Sequence, residues 1–98
     1  MDSELRAYLD RRETAIGVVR RILIDNLHFP VEPERIDLDV PLFGTGLGLD
    51  SVDALELVVA AEAAFAISLP DDRLREQLRT VNTLVDLVLE CQQGAGGS

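Results

Sequence analysis

Between His28 and Leu49 the apolar residues show no helical spacing, although those in the long stretches on either side do. The prolines and glycines of this segment are Pro30, Pro33, Pro41, Gly44, Gly46 and Gly48. Proline removes a backbone donor and glycine permits tight turns, so no helix is expected to run through this segment. The chain is therefore predicted to fold as helices on either side of one long connection, with a helical turn possible at residues 33–38. Apolar residues should anchor the connection to the helices: Ile36, Leu38, Val40, Leu42 and Phe43.

The flanking stretches place apolar residues at spacings of three, four and seven, which is the pattern of amphipathic helices. The predicted helices are about Ser3–Leu27, Ser51–Phe65, Asp71–Leu78 and a fourth that follows a capping Thr80 and ends near Gln92. Asp2 or Ser3 is expected to cap the first helix. The fold class is all-α, a four-helix bundle with three long helices, a short third helix and a long loop between helices one and two. We expect one domain over residues 1–93 and a disordered Gly-rich tail over residues 94–98.

Charge and hydropathy argue against some classes of function. The net charge is −9, from 18 acids and 9 bases, and all of the bases are Arg. Such an acidic surface would repel nucleic acid and suits partners with basic patches. No apolar run approaches the ~20 residues that a membrane span needs, and the N-terminus lacks the order of a secretory signal. The sequence predicts a soluble, cytoplasmic monomer that binds neither nucleic acid nor membrane.

Few residues suit catalysis or metal binding. Cys91 and His28 are the only cysteine and histidine, which excludes an internal disulfide and argues against a zinc site. Cys91 is expected to be a small buried hydrophobe. The Gly-rich run 44–48 lacks the Lys of a phosphate-binding loop. A catalytic Ser51 would need His28 beside it, and no set of nucleophile, base and orienting group is evident. We do not expect an enzyme.

The second predicted helix has two apolar stripes. The stripe expected to face the core is Ala54, Leu57, Val58, Ala61 and Phe65. The other is Val52, Leu55 and Val59, interleaved with Asp53, Glu56 and Glu62. The second stripe is either covered by the long loop or offered to partners, and its acidic edges favour partners.

Ser51 stands where this helix begins. Serine is a preferred N-cap, which gives it a purely structural explanation. Asp50 could serve as the cap instead, leaving Ser51 at the first helical position with its hydroxyl exposed. A helix N-terminus would also favour a phosphodiester at this point.

The run Gly48-Leu49-Asp50-Ser51-Val52-Asp53-Ala54-Leu55-Glu56-Leu57 resembles the prosthetic-group attachment site of acyl carrier proteins. The resemblance continues upstream in Pro41-Leu42-Phe43 and downstream in Leu69-Pro70-Asp71 and Thr80-Val81, and it covers about residues 5–92. In that family the serine carries a 4′-phosphopantetheine arm, derived from coenzyme A, whose thiol holds an acyl group as a thioester.

The resemblance implies a non-catalytic carrier loaded at Ser51, next to Asp50, by a phosphopantetheinyl transferase. Its implied partners are a ketosynthase, an acyltransferase and other enzymes of polyketide or fatty-acid biosynthesis, with an acyl chain as cargo. The implied partner surface is Val52, Asp53, Glu56, Val59 and Glu62. The implied acyl pocket is Leu57, Val58, Ala61 and Leu69.

The sequence departs from the family pattern at Val52, where Leu is usual, and at Ala61, where a larger Leu is common. Arg73, Arg75 and Arg79 stand where many members are acidic. Two alternatives stay open: a peptidyl or aminoacyl carrier of a non-ribosomal peptide pathway, and a helical interaction module with no prosthetic group.

Overall fold

The computed structural model describes residues 2–44 and 46–97, with side chains in helix four described as far as Gln92. Within these residues the chain forms four α-helices and a single 3-10 turn at Pro33–Arg35. The α-helices are α1 (Ser3–Asp25), α2 (Ser51–Phe65), α3 (Asp71–Gln77) and α4 (Val81–Gly97). The predicted all-α four-helix bundle with a long loop between its first two helices is confirmed.

Side-chain oxygens cap the N-termini of three of the helices. They accept hydrogen bonds from backbone N–H groups that have no partner inside the helix. The Asp2 carboxylate accepts from the Glu4 N–H at the start of α1, at 3.1 Å. At α4, Thr80 Oγ1 accepts from the Thr83 N–H at 3.1 Å, and Thr83 Oγ1 accepts from the Thr80 N–H at 2.9 Å. Thr80 is therefore the cap that the sequence predicted.

Three helix ends differ from the predictions, and the smallest difference is at α3, which ends at Gln77 and not at Leu78. α1 stops at Asp25 because the chain turns through His28, whose φ of 57° is left-handed. α4 continues past Gln92 to Gly97, through most of the segment predicted to be a disordered tail, while Ser98 lies outside the described residues. A terminal helix can extend simply by adding i to i−4 bonds, although each glycine costs about 1 kcal/mol relative to alanine. We keep the domain limit near residue 93 as a proposal.

The core is aliphatic and lies where α1 packs against α2 and α4, with α3 packed on α4. The buried core residues are Ala15, Val19, Ile22, Leu23, Ile36, Leu42, Leu49, Leu57, Ala61, Leu69, Val81, Leu84, Val85, Leu87, Val88 and Leu89. Among the described helices, none combines the length and apolar character needed to cross a membrane.

The long loop is held by a short series of backbone hydrogen bonds. The Leu42 N–H donates to the Arg79 carbonyl at 2.8 Å, and the Leu49 N–H donates to the Leu42 carbonyl at 2.9 Å. The Leu47 N–H closes a turn onto the Pro41 carbonyl, also at 2.9 Å. Of the predicted anchors, Ile36 and Leu42 are buried, and Leu38, Val40 and Phe43 are half-buried. These contacts fix where α2 begins.

Polar side chains join the helices around this loop. Arg12 on α1 forms an ion pair with Asp86 and donates to Asn82 Oδ1 at 2.9 Å. The Asn82 N–H in turn donates to the Leu38 carbonyl of the loop at 3.0 Å.

A second ion pair joins α3 to α4. Both terminal nitrogens of Arg73 donate to Glu90, at 2.9 and 2.7 Å, and this bonding lowers the pKa of the Glu90 carboxyl. Arg73, which departs from the family pattern, therefore has a structural partner within the chain.

The close turn at Gly46 predicts a sharp response to substitution. A Cβ at Gly46 would lie 1.8 Å from the Pro41 carbonyl oxygen, so Gly46→Ala must displace the turn. We expect it to lower the free energy of unfolding by about 1–3 kcal/mol, as overpacking does, measured by urea unfolding. Gly17→Ala is the control, because its Cβ would meet nothing within 4 Å in the middle of α1. The control should raise stability by about 0.5–1 kcal/mol, and equal effects at the two glycines would contradict the assignment.

Candidate functional site

Ser51 is the first residue of α2, and its side chain is exposed. Asp50, not Ser51, is the N-cap: its Oδ1 accepts from the Asp53 N–H at 2.9 Å. Asp53 Oδ2 accepts from the Asp50 N–H at 3.2 Å, which completes a capping box. Of the two arrangements considered from the sequence, the one with Asp50 as cap is observed. The Ser51 hydroxyl is thereby left at the surface and is not needed to start the helix.

The surroundings of Ser51 suit an attached phosphodiester. The amide dipoles of α2 favour negative charge at its first turn, and an exposed hydroxyl leaves room for a long substituent. Gly48, at a φ of 75°, and the buried Leu49 bring the loop into α2 just before this point. The residues present therefore fit a covalently bound phosphate group on Ser51.

The outer face of α2 carries an uncovered apolar stripe. Val52, Leu55 and Val59 are 70%, 66% and 56% exposed, and Glu56 between them is exposed as well. The long loop does not cover these side chains. Of the two explanations that the sequence left open, only an open surface agrees with the structure.

Two acids predicted for the partner surface already have partners inside the chain. Asp53 is half-buried in the capping box. Glu62 is also half-buried, and its Oε2 accepts from the Leu69 N–H at 2.8 Å, which ties the α2–α3 connection to α2. From helical spacing, Glu62 was predicted to lie beside the apolar stripe. Spacing within the helix could not predict its hydrogen bond to Leu69, because Leu69 lies beyond the end of α2.

The four residues predicted to line an acyl pocket are largely packed away. Leu57 and Ala61 have no exposed surface, Leu69 is 5% exposed and Val58 is half-buried. Leu69 also lines a surface groove of about 810 Å³ at the far end of α2. The residues around this groove are Glu62, Ala66, Ile67, Ser68, Leu69, Pro70 and Cys91. The structure thus separates a packed interior from an open groove, and Leu69 borders both.

Cys91 is a half-buried free thiol on that groove, more accessible than the buried hydrophobe that we predicted. Burial, with the nearby charge of Glu90, raises the pKa of the thiol and keeps it protonated. In the part of the chain that the structure describes, no three His, Cys, Asp or Glu residues are grouped so that they could hold a metal ion.

Comparison with known proteins agrees with this geometry. The family model described as "Phosphopantetheine attachment site" matches residues 17–88. The chain is 39% identical over 72 residues to the acyl carrier protein of Caulobacter vibrioides, a match that covers 74% of this chain and 87% of that protein. It is 35% identical over 72 residues to the acyl carrier protein of Zymomonas mobilis, with the same coverage. A third relative, the acyl carrier protein of Thermosynechococcus vestitus, is 34% identical over 70 residues, covering 71% of this chain and 82% of that protein.

The matched residues include the capped start of α2, its exposed serine and the loop that positions both. By family match and by its relatives, this chain belongs to the acyl carrier protein family.

Proposed function

We propose that Ser51 is the residue of this chain that bears 4′-phosphopantetheine. The observation that carries the proposal is the division of roles at the start of α2: Asp50 caps the helix, and Ser51 presents an exposed hydroxyl beside it. As a family member the chain is a carrier and not an enzyme, and 4′-phosphopantetheine is its cofactor. When bound, the arm supplies a thiol that holds an acyl group as a thioester.

The residues of this chain would hold and orient the phosphopantetheine, and would not catalyse a reaction of its cargo. During attachment by a phosphopantetheinyl transferase, the Ser51 oxygen would lose its proton and bond to the phosphorus that bears pantetheine. The pyrophosphate bond of coenzyme A would break, and adenosine 3′,5′-bisphosphate would leave with the displaced oxygen. The first turn of α2 would stabilise the resulting negative charge through its dipole. The Asp50–Asp53 capping box would keep the helix start rigid, so that the attachment point has a fixed direction.

The proposed cargo is an acyl intermediate of fatty-acid or polyketide biosynthesis. The relatives reported above are all named acyl carrier proteins, which supports acyl over peptidyl or aminoacyl cargo. The protein would pass this cargo between a ketosynthase, an acyltransferase and other enzymes of the same pathway.

The proposed docking surface is the open stripe Val52, Leu55 and Val59 together with Glu56. Its apolar side chains offer area to bury, and Glu56 offers a charge to steer a basic partner. Asp53 and Glu62 remain part of the proposed surface, although their carboxylates also hold local structure. With a net charge of −9, the whole chain would speed encounters with basic surfaces.

Replacement of the serine tests the attachment site. Wild-type protein and Ser51→Ala are incubated with coenzyme A, magnesium and a broad-specificity phosphopantetheinyl transferase, and intact mass is measured. We expect one adduct on the wild type and none on Ser51→Ala. Ser68→Ala, at another exposed serine, is the matched control and should load normally. Loading of Ser51→Ala, or no loading of folded wild type, would contradict the proposal.

The same cap predicts a difference in stability. Since Asp50 supplies the cap, Asp50→Ala should lower the free energy of unfolding by about 0.5–2 kcal/mol, whereas Ser51→Ala should change it by less than about 0.5 kcal/mol. Thermal and urea unfolding of both variants measures this. A larger loss in Ser51→Ala would mean that the serine is structural.

Charge reversal at Glu56 tests the docking surface. Glu56→Arg should weaken binding to a ketosynthase or the transferase more at low salt than at high salt, because screening removes the steering charge. Binding is measured by titration across a salt series. Glu13→Arg, an equal change at an exposed acid of α1, serves as the control. If both variants show the same salt dependence, the effect belongs to net charge and not to the face of α2.

A further inference from the structure

The attachment site lies in a long stretch of sequence that has no basic residue. Residues 36–72 contain neither Arg nor Lys, and the two acids of the capping box, Asp50 and Asp53, flank Ser51. A phosphodiester on Ser51 would add a further negative charge beside them. The dipole of α2 offsets part of this repulsion, and a cation close to the phosphate would offset more of it.

The fold brings one basic residue, Arg79, to this site from the corner between α3 and α4. The Arg79 carbonyl accepts from the Leu42 N–H at 2.8 Å, and the Leu42 carbonyl accepts from the Leu49 N–H at 2.9 Å. These bonds set three backbone segments side by side, and segments paired in this way lie about 5 Å apart. The Arg79 backbone is therefore within about 10 Å of that of Leu49, which stands two residues before Ser51.

The backbone of Arg79 is fixed, whereas its side chain is exposed. Its N–H donates to Thr83 Oγ1 at 3.3 Å, while its carbonyl is held by the loop. None of the ion pairs found among the described residues involves Arg79. An extended arginine side chain spans about 7 Å, so its guanidinium can reach a group that projects from Ser51.

We propose that Arg79 binds the phosphodiester of the arm on Ser51. A guanidinium presents a planar fork of N–H donors that matches two phosphate oxygens, and it stays charged at every pH at which the protein is folded. The contact holds the base of the arm toward the α3–α4 corner and offsets the repulsion from Asp50 and Asp53. This inference rests on the function proposed for Ser51.

Phosphorus NMR of the loaded protein reads this contact directly. Intact mass first confirms one adduct on wild type, Arg79→Gln, Arg79→Lys and Arg75→Gln. The phosphodiester resonance of Arg79→Gln should move from its wild-type position toward its position in urea-unfolded loaded protein. Arg79→Lys keeps the charge without the planar fork and should restore part of the difference. Arg75→Gln removes an equal charge from an exposed position of α3 and should leave the resonance unchanged.

Thermal unfolding of the unmodified and loaded forms separates this contact from a structural role. In unmodified protein, Arg79→Gln should leave the melting temperature nearly unchanged, because the hydrogen bonds of Arg79 come from its backbone. Loading should raise the melting temperature of wild type by about 2–5 °C more than that of Arg79→Gln, the effect of one exposed charge pair in a small domain. In about 1 M salt this difference should largely vanish, because salt screens exposed charges.

A resonance and a loading effect that are the same in wild type and Arg79→Gln would overturn the inference. So would equal changes in Arg75→Gln, which would show an effect of net charge, or a loss of stability in unmodified Arg79→Gln as large as in the loaded form. In each of these cases the adduct is present and the proposed function stands. Absence of an adduct on folded wild type would instead overturn the proposed function, and this inference with it.

Discussion

The backbone of Leu42 is the point on which the site depends. Its N–H bonds to Arg79 at the corner between α3 and α4, and its carbonyl receives the N–H of Leu49, just before α2. Its side chain is fully buried, so the same residue anchors the loop by packing and by hydrogen bonding. The position of the start of α2, and with it that of Ser51, is therefore set by contacts of the loop with the α3–α4 corner and not by the length of the loop.

The inner face, the two ends and the outer face of α2 have different structural roles. Leu57 and Ala61 fill the core, while acids hold both ends: Asp50 and Asp53 at the start, Glu62 at the finish. Side chains of α2 itself secure both of its ends, while the apolar residues of its outer face stay exposed. The acidic side chains of this chain thus have a local structural role as well as a long-range electrostatic one.

Periodicity predicted most of the fold. The four helices, the loop and the capping Thr80 follow from spacing and from residues with specific backbone preferences, because these are local properties. The Asp50–Asp53 capping box is local too, but Ser51 competed with Asp50 as the cap in the sequence. The structure settles that choice through the bonds that each side chain makes.

Other features could not be read from local patterns. The 1.8 Å approach that excludes a Cβ at Gly46 involves Pro41 across a turn, and the Glu62–Leu69 bond crosses a helix end. Both depend on how segments meet in space. The extension of α4 to Gly97 runs against the helix propensity of its glycines, so propensity predicted an earlier end.

The most direct test of the role of Ser51 is to identify the residue that carries the prosthetic group. Wild-type protein is loaded from coenzyme A by a phosphopantetheinyl transferase, digested, and the modified peptide is sequenced by tandem mass spectrometry. We predict that the whole adduct lies on Ser51 and none on Ser3 or Ser68. An adduct on any other residue, or none on protein shown to be folded, would contradict it.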